Sequence, residues 1–303
     1  MTFSVTILGS SSALPTSTRF PSAHVLNAHE RLFLIDCGEG TQIQLRKYKQ
    51  KLSRIDSIFI SHVHGDHTLG LVGLISSFNL LGRKNELKIF AHASLQHILN
   101  QNIEFYIKEL NFPIRFHPIN PKIHEVVFET NNLIVESFPL KHKIVSNGFL
   151  FKEKEKAPNL KKEAIQKYEL SLTDIVSIKA GNDYTTPSGM VIPNNELTYV
   201  SSKPRSYAYC SDTRYFEALS NYVTDVDLLY HEATFDQSLE KMAKTTGHST
   251  AHQAAKIAKL ANAKKLVIGH FSSRYKDITP LLNEAKEIFP ETYAANEGEV
   301  FSL

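Results

Sequence analysis

The sequence is poor in several features that would each indicate a particular class of protein. Its two cysteines, Cys37 and Cys210, are too few for a disulfide framework or a thiolate zinc finger, and they fit a reducing compartment. No apolar run approaches the ~18 residues that a membrane span needs, and the start, MTFSVTILGSSSALP, lacks the features of a signal peptide. We therefore expect a soluble, cytoplasmic protein without a membrane partner, in which nitrogen and oxygen atoms hold any metal.

The chain also has little net charge, but that charge is unevenly distributed. A formal total of +3 is too small to indicate a nucleic-acid partner by itself. Between residues 141 and 167, however, eight lysines stand against three glutamates, so this segment alone carries +5 and the rest of the chain carries −2. Taken alone, such a charge run favours a solvated, partly helical insertion.

Short apolar runs alternate with helical patterns along most of the 303 residues, which predicts a mixed α/β fold with a sizeable core. Strand-like runs lie at 5–8, 32–35, 58–60, 87–90, 133–138, 207–209, 228–230 and 266–268. Helical patterns lie at 41–48, 70–81, 94–102, 250–261 and 279–289. Residues 153–205 break this rhythm, because they are rich in Lys, Asn, Ser, Thr and Pro. We interpret them as an inserted arm.

Residues 57–71, SIFISHVHGDHTLGL, place four metal-competent side chains directly after an apolar strand. His62 and His64 are two positions apart, so in an extended segment their side chains leave on the same side and can share one metal. Asp66 and His67 follow Gly65, where the chain can turn, and they can reach a second ion. Imidazole and carboxylate ligands without a thiolate suit zinc best, while manganese and iron remain open.

Four residues cannot hold two ions, so further ligands must come from elsewhere in the chain. His142, Asp212 and His270 each follow a strand-like run, and the carboxyl ends of several strands can converge on one spot. An aspartate is the natural bridge between two cations because each of its oxygens can face one ion, which favours Asp212 for that position. Two cations make hydrolysis by an activated water accessible, and phosphodiesters gain most from it.

The histidine string SHVHGDH resembles the signature of the metallo-β-lactamase superfamily. The chain is similar in particular to the ribonuclease Z family, endonucleases that trim the 3′ trailer from precursor tRNA. The pieces that carry this resemblance run in the family's order from residue 8 to residue 275, and they are LGSSSALPT, DCGEGTQ, PLKH, SDTR, HEATF, GHSTA and HFSSRY. Together they are far more specific than the histidine string alone.

The resemblance implies an α/β fold in which residues 1–303 form one metallo-β-lactamase-like domain, a four-layer αββα sandwich of two sheets with helices outside. It also implies two zinc ions per chain. By the same resemblance one ion is held by His62, His64, His142 and Asp212, and the other by Asp66, His67, Asp212 and His270.

The family also suggests roles for residues beside the metals. Asp66 would accept a proton as well as hold metal, and His248 of GHSTA would assist the leaving 3′ oxygen. His231 and Glu232 of HEATF would orient His248 or the metal ligands. Arg274 of SSRY is a candidate contact for a phosphate, because a guanidinium matches phosphate oxygens, although an ordinary salt bridge is an equal alternative.

Many family members carry an arm between the PLKH and SDTR pieces that grips the body of the tRNA. Residues 153–205 occupy that place here, without the Gly-Pro pair that such arms usually carry near the tip. We therefore interpret them as a tRNA-binding exosite. The candidate RNA contacts in it are Lys154, Lys156, Lys161 and Lys162.

The residues and the resemblance together predict a zinc-dependent endoribonuclease that acts on precursor tRNA and leaves a 3′ hydroxyl on the tRNA and a 5′ phosphate on the trailer. The resemblance also implies a homodimer. One alternative is a hydrolase of small molecules, such as a cyclic-nucleotide phosphodiesterase or a lactamase-like enzyme, which would have no evident need for a lysine-rich arm. A second is a non-catalytic RNA-binding module, but such a protein has no chemical reason to keep Asp66, Asp212 and His270 together.

Overall fold

The computed structural model describes residues 2–199 and 203–303, so residues 200–202 of the predicted arm lie outside the described residues. The chain divides into two compact units. The larger unit comprises Met1–Glu129, Val135–Phe151 and Ser206–Leu303, and the smaller comprises Thr130–Ile134 and Lys152–Arg205. Among the described residues, no helix is both long and apolar enough to cross a membrane.

The first sheet of the larger unit has seven strands within the described part of the chain. They are β1 (Phe3–Gly9), β2 (Ala23–Ala28), β3 (Arg31–Ile35), β4 (Ile55–Phe59), β5 (Leu87–Ala91), β6 (Ile114–Pro118) and β18 (Val300–Ser302). Their order is β18-β1-β2-β3-β4-β5-β6, antiparallel up to β3 and parallel from β3 to β6. The parallel strands are covered on both faces, which explains continuous apolar runs such as LFLI.

The second sheet also has seven strands within the described residues. They are β7 (Glu125–Glu129), β8 (Leu133–Leu140), β9 (Ser146–Glu153), β14 (Ser206–Cys210), β15 (Leu228–Glu232), β16 (Leu266–Gly269) and β17 (Thr292–Ala294). Their order is β17-β16-β15-β14-β9-β8-β7, and β14 to β17 are parallel. The parallel part therefore presents several carboxyl strand ends at one edge.

An aromatic layer lies between the two sheets. Phe33 and Phe59 project from the first sheet, and Phe149 and Phe151 from the second. The ring centroids of Phe59 and Phe149 are 5.4 Å apart, and those of Phe33 and Phe151 are 6.2 Å apart. These tilted and edge-to-face contacts bury large apolar surfaces from both sheets at once, which holds the sheets face to face.

Helices cover the outer face of each sheet. On the first sheet these are α1 (Thr41–Lys47), α3 (Gly70–Leu80) and α4 (Ser94–Tyr106), whose buried leucines join the strand residues in one core. On the second sheet α9 (Ala251–Leu260) and α10 (Thr279–Ile288) form a second core. The side-chain oxygen of Thr250 accepts a hydrogen bond from the Gln253 amide and caps α9. The layers are αββα, which confirms the predicted sandwich.

The smaller unit has its own apolar cluster, built from short elements. They are α5 (Lys162–Lys167), α6 (Leu172–Lys179), α7 (Asn194–Leu197), β10 (Asn159–Leu160), β11 (Tyr184–Thr185), β12 (Val191–Ile192) and β13 (Thr198–Tyr199). Leu160, Ile178 and Leu197 are buried in this cluster. The Lys161 ammonium donates to the carbonyl oxygens of Asn195 (3.3 Å) and Glu196 (2.8 Å), so it holds this unit together.

All eight predicted strands and all five predicted helices are present, with ends shifted by a few residues. The sequence reasoning missed shorter or more polar elements, including β2, which carries His24 and Asn27, the three-residue strand β18, and α8 (Glu240–Thr246). It also gave no elements for residues 153–205. Short strands have too few residues for a period of two to be visible, and only their neighbours in the sheet define them.

Candidate metal centre and active site

Polar side chains at the carboxyl ends of four strands meet at one place in the larger unit. His62 and His64 follow β4, His142 follows β8, Asp212 follows β14 and His270 follows β16. The single-turn helix α2 (Gly65–Thr68) directly after His64 supplies Asp66 and His67. The structure therefore brings all seven sequence-predicted ligand residues together, although 208 positions separate the first from the last.

The first ligand group consists of His62, His64, His142 and Asp212, whose ligand atoms lie within 4.8 Å of one another. His62 Nε2 is 3.0 Å and His142 Nε2 is 3.3 Å from His64 Nδ1. His62 Nε2 is also 3.5 Å from Asp212 Oδ2. With metal–nitrogen bonds of about 2.0–2.1 Å in a tetrahedral site, neighbouring ligand atoms are expected roughly 3.3 Å apart. These spacings fit that geometry.

The second ligand group consists of Asp66, His67 and His270. Asp66 Oδ2 is 3.4 Å from the Nε2 atoms of both histidines. The other oxygen of Asp212, Oδ1, is 3.4 Å from His67 Nε2 and 3.2 Å from His270 Nε2. One carboxylate oxygen of Asp212 thus faces the first group and the other faces the second.

The chemistry of these atoms fits a pair of divalent cations. Asp212 Oδ1 and His67 Nε2 are fully buried and find no hydrogen-bond partner among the residues that the structure describes, an arrangement that is costly unless something else satisfies them. Burial opposes the charge of Asp212, but His270 and His67 outweigh it and hold its pKa well below the usual range. Nitrogen and carboxylate ligands without thiolate are the set that zinc and similar metals take.

A buried network behind the ligands fixes their orientation. Asp36 Oδ2 accepts hydrogen bonds from His67 Nδ1 (2.7 Å), the Ser61 hydroxyl (2.8 Å) and the Tyr209 hydroxyl (2.7 Å). Ser61 Oγ also lies 3.0 Å from His62 Nδ1, so the network touches both ligand groups. Because Nδ1 of His67 donates, its Nε2 lone pair is left for a metal.

Asp36, Ser61 and Tyr209, which form this network, were not among the residues predicted from the sequence. Asp36 lies in the string DCGEGTQ, which carried part of the family resemblance, so that string held the signal. Two other ligands have similar supports: His142 Nδ1 donates to the Gly247 carbonyl (2.7 Å), and His270 Nδ1 is 2.9 Å from Thr234 Oγ1. These partners satisfy the ring nitrogen that faces away from the centre.

His248 lies beside the two ligand groups and is held by Glu232. Its Nδ1 is 3.1 Å from Glu232 Oε1 and 3.8 Å from Asp212 Oδ2. Glu232 is fully buried but well satisfied, since it also accepts from the amides of Thr234 and Ser249. Burial lowers the pKa of His248, but the carboxylates of Glu232 and Asp212 outweigh it and raise that pKa to about 9. These carboxylates therefore favour the charged imidazolium form of His248 over the neutral ring.

Two other residues predicted to belong to the site, His231 and Arg274, lie beside Glu232 and Phe235, respectively. His231 Nδ1 donates to the Glu232 carbonyl (2.6 Å), and no hydrogen bond to His248 is found for it in the described part of the chain. Arg274 is exposed, and its guanidinium lies over the Phe235 ring at 5.1 Å from the centroid. The ring centroids of Phe235 and His248 are 6.2 Å apart, so Arg274 lies close to the candidate metal centre.

The four lysines predicted to contact RNA all lie in the smaller unit. Lys156 and Lys162 are exposed, and Lys154 is half-buried. The ammonium of Lys161, which is half-buried, makes the two carbonyl contacts within the unit.

The chain is similar to known proteins over nearly its whole length. The sequence is 48% identical to the protein named Ribonuclease Z from Phocaeicola vulgatus over 99% of this chain and 97% of that one. It is 46% identical to the protein of the same name from Bacteroides thetaiotaomicron, over 99% of this chain and 95% of that one. Residues 3–157 also match the family model described as Anti-Pycsar protein Apyc1, which ends before Asp212, His248 and His270.

The chain is also similar to solved structures over nearly its whole length. The crystal structure of the short form of human tRNase Z (ELAC1) superposes with a TM-score of 0.72 and 29% identity, covering 99% of this chain and 98% of that one. The metallo-β-lactamase fold protein YhfI from Bacillus subtilis superposes with a TM-score of 0.69 over 100% of both chains. At 18% identity, that second likeness shows the fold alone.

Proposed function

Because this chain belongs to the ribonuclease Z family and is a tRNA 3′-processing endoribonuclease, we propose that its two ligand groups hold two zinc ions where the trailer of precursor tRNA is cut. The observation that carries this proposal is Asp212, a buried carboxylate with one oxygen toward each ligand group. Bound zinc lowers the pKa of water to about 7 and neutralises charge on the attacked phosphate. The products would be a tRNA 3′ hydroxyl and a trailer 5′ phosphate.

Within this centre we assign proton transfer to residues of the chain. Asp66 lies at the edge of the second ligand group, with its Oδ2 atom 3.4 Å from two histidines. Burial opposes its charge, but His270 and His67 outweigh it and keep its pKa low, so the carboxylate is ionised, which is the form that would hold a cation. The role of proton acceptor is assigned to Asp66 by the family resemblance. Arg274, held over Phe235 beside His248, is placed to contact a phosphate oxygen of the RNA.

His248 is the candidate proton donor to the leaving 3′ oxygen. Its Nδ1 is engaged by Glu232, so Nε2 is the nitrogen available to the substrate, and the raised pKa of His248 favours the imidazolium form that can donate a proton. His248→Ala is expected to slow trailer removal about 10²- to 10⁴-fold. Hydrolysis of a nitrophenyl phosphodiester should fall much less, because nitrophenolate leaves without a proton. Equal losses on the two substrates, measured as kcat, would remove this role from His248.

The proposed function is tested directly by cleavage. Zinc-loaded protein should cut precursor tRNA once, at the 3′ side of the tRNA, and should leave termini that a polymerase or ligase assay identifies as 3′ hydroxyl and 5′ phosphate. A chelator should stop the reaction and added zinc should restore it. If the protein hydrolyses a small cyclic nucleotide or a lactam efficiently while leaving precursor tRNA intact, the small-molecule alternative is correct instead.

We further propose that the smaller unit is the tRNA-binding exosite. It contains Lys154, Lys156 and Lys162, part of the segment that concentrates the positive charge of the chain. Its separate apolar cluster, including Leu160 and Ile178, allows it to present these lysines on a defined surface. Lys161 is assigned to the stability of this unit, because its ammonium is already engaged by backbone carbonyls.

We also propose that the protein is a homodimer that pairs through the helices covering the first sheet. Large apolar side chains are exposed there, at Ile43, Leu69, Leu80, Phe105 and Tyr106, with exposed fractions of 57% to 84%. Exposed apolar side chains of this size on neighbouring helices favour an interface. Sedimentation should give a dimer for the wild type and a monomer for Leu80→Glu/Phe105→Glu. A monomeric wild type at micromolar concentration contradicts the proposal.

The two cysteines support a cytoplasmic location for this reaction. Cys37 and Cys210 are both free thiols with buried side chains. Burial raises the pKa of Cys37 to about 12, so the thiol is protonated and unreactive. Free thiols of this kind fit a reducing compartment, and fractionation of cells that express the protein tests the location.

A further inference from the structure

Helix α9 leads away from His248 and borders a groove that the proposed reaction does not use. The groove has a volume of about 550 Å³ and lies between α9, the end of α10 and the segment after Asp212. Its lining includes Tyr215, His252 and Lys256. It belongs entirely to the larger unit.

The groove carries more positive than negative charge. His252, Lys256 and Lys259 are spaced at i, i+4 and i+7, so they share one face of α9 over roughly 10 Å. Glu217 is the single carboxylate among the described lining residues, and the Tyr215 hydroxyl donates to it at 3.3 Å. Both lysines are exposed and Tyr215 is half-buried. A pair of lysines beside an aromatic ring suits a nucleic-acid backbone with a base nearby.

Two of the three elements that line the groove lie close in sequence to residues of the metal centre. His252 follows His248 by four residues, and Tyr215 follows Asp212 by three. Even a fully extended chain would separate the first pair by at most ~14 Å and the second by at most ~11 Å. RNA whose scissile phosphate lies at the centre can therefore reach the groove within a few nucleotides.

We propose that this groove binds the 3′-terminal strand of the tRNA itself, on the mature side of the cleavage point. The inference rests on the proposed function, in which His248 stands beside the leaving 3′ oxygen. That oxygen belongs to the tRNA, and α9 begins just after His248, so the RNA that runs along α9 is the tRNA side of the cut. Lys256 and Lys259 then neutralise backbone phosphates, and Tyr215 offers its ring to a base.

The test compares two double variants that remove the same charge. Lys256→Ala/Lys259→Ala removes the groove lysines, while Lys51→Ala/Lys84→Ala removes two exposed lysines on loops of the first-sheet half. Each is titrated with precursor tRNA and with the same tRNA ending at the cleavage point, at several salt concentrations. The groove variant should bind both RNAs roughly tenfold more weakly, with the slope of log affinity against log salt shallower by about 1.4 to 1.8. The control should match the wild type.

Each other result overturns the proposal. Unchanged affinity and slope would show that the groove does not touch RNA, and equal losses in both variants would show only a general charge effect. A loss seen with precursor tRNA alone would place the trailer in the groove instead. Alanine at exposed helix positions favours the helix, so the groove variant should fold. Circular dichroism and zinc content verify its folding, and Lys256→Gln/Lys259→Gln serves as a second variant that removes the same charges. Wild-type protein that binds tRNA but fails to cut the precursor would refute the proposed function separately.

Discussion

Asp212→Ala is expected to abolish trailer removal, with a rate loss of more than ~10³-fold, and to lower the zinc content at both ligand groups. The reason is that its two oxygens face different groups, Oδ2 toward His62 at 3.5 Å and Oδ1 toward His67 at 3.4 Å. Removing this carboxylate leaves several converging imidazoles without the charge that balances two cations. Elemental analysis of the purified variant and single-turnover cleavage of precursor tRNA measure the two effects.

Asp66→Ala is the matched comparison, because Asp66 belongs to one ligand group only. It should lose about one zinc ion per chain rather than two. It should also lose turnover while binding precursor tRNA nearly as well as the wild type, since a group needed mainly at the transition state contributes little to ground-state affinity. Full zinc occupancy and normal turnover in Asp212→Ala would show that the bridge is wrongly assigned.

Replacing residues 153–200 with a short flexible linker should weaken precursor tRNA binding roughly 10²-fold and flatten its salt dependence. Each lysine that neutralises a duplex phosphate contributes about 0.9 to the slope of log affinity against log salt, so the loss of three should lower it by about 2.7. A small nitrophenyl phosphodiester needs no contact with an exosite, and its hydrolysis should survive. Filter binding over a salt series and steady-state hydrolysis give the two readouts.

Point variants separate charge from folding within this unit. Lys154→Ala/Lys156→Ala/Lys162→Ala should reproduce most of the change in slope. Lys161→Ala should instead lower the thermal stability of the unit, because its ammonium donates to the Asn195 and Glu196 carbonyls. If the linker protein stays folded and zinc-loaded yet binds and processes precursor tRNA normally, residues 153–205 are a solvated insertion, and the missing Gly-Pro pair was the better guide.

The residues of the candidate centre could be predicted from the sequence. Four metal-competent residues within six positions after an apolar strand are already specific, and His142, Asp212 and His270 share the same local context of following a strand. For β14 and β16, which precede Asp212 and His270, such positions can be read from the chain because burial on both faces keeps a parallel strand apolar, and the polar residue that follows it is then conspicuous. The same runs predicted a mixed α/β fold, and the four-layer sandwich was implied by the family resemblance.

The partners that hold those side chains in place became visible in the folded molecule and not in the sequence. Asp36 and Tyr209 are 173 residues apart in the chain and meet by a 2.7 Å hydrogen bond, and Glu232 reaches His248 across 16 residues. The structure likewise separated Lys161, which binds backbone carbonyls, from its exposed neighbour Lys162, and placed Lys256 and Lys259 beside Tyr215. Local sequence patterns indicate which face of an element is apolar. A hydrogen bond between distant strands depends instead on how the two sheets pack, and no single segment of the sequence encodes that packing.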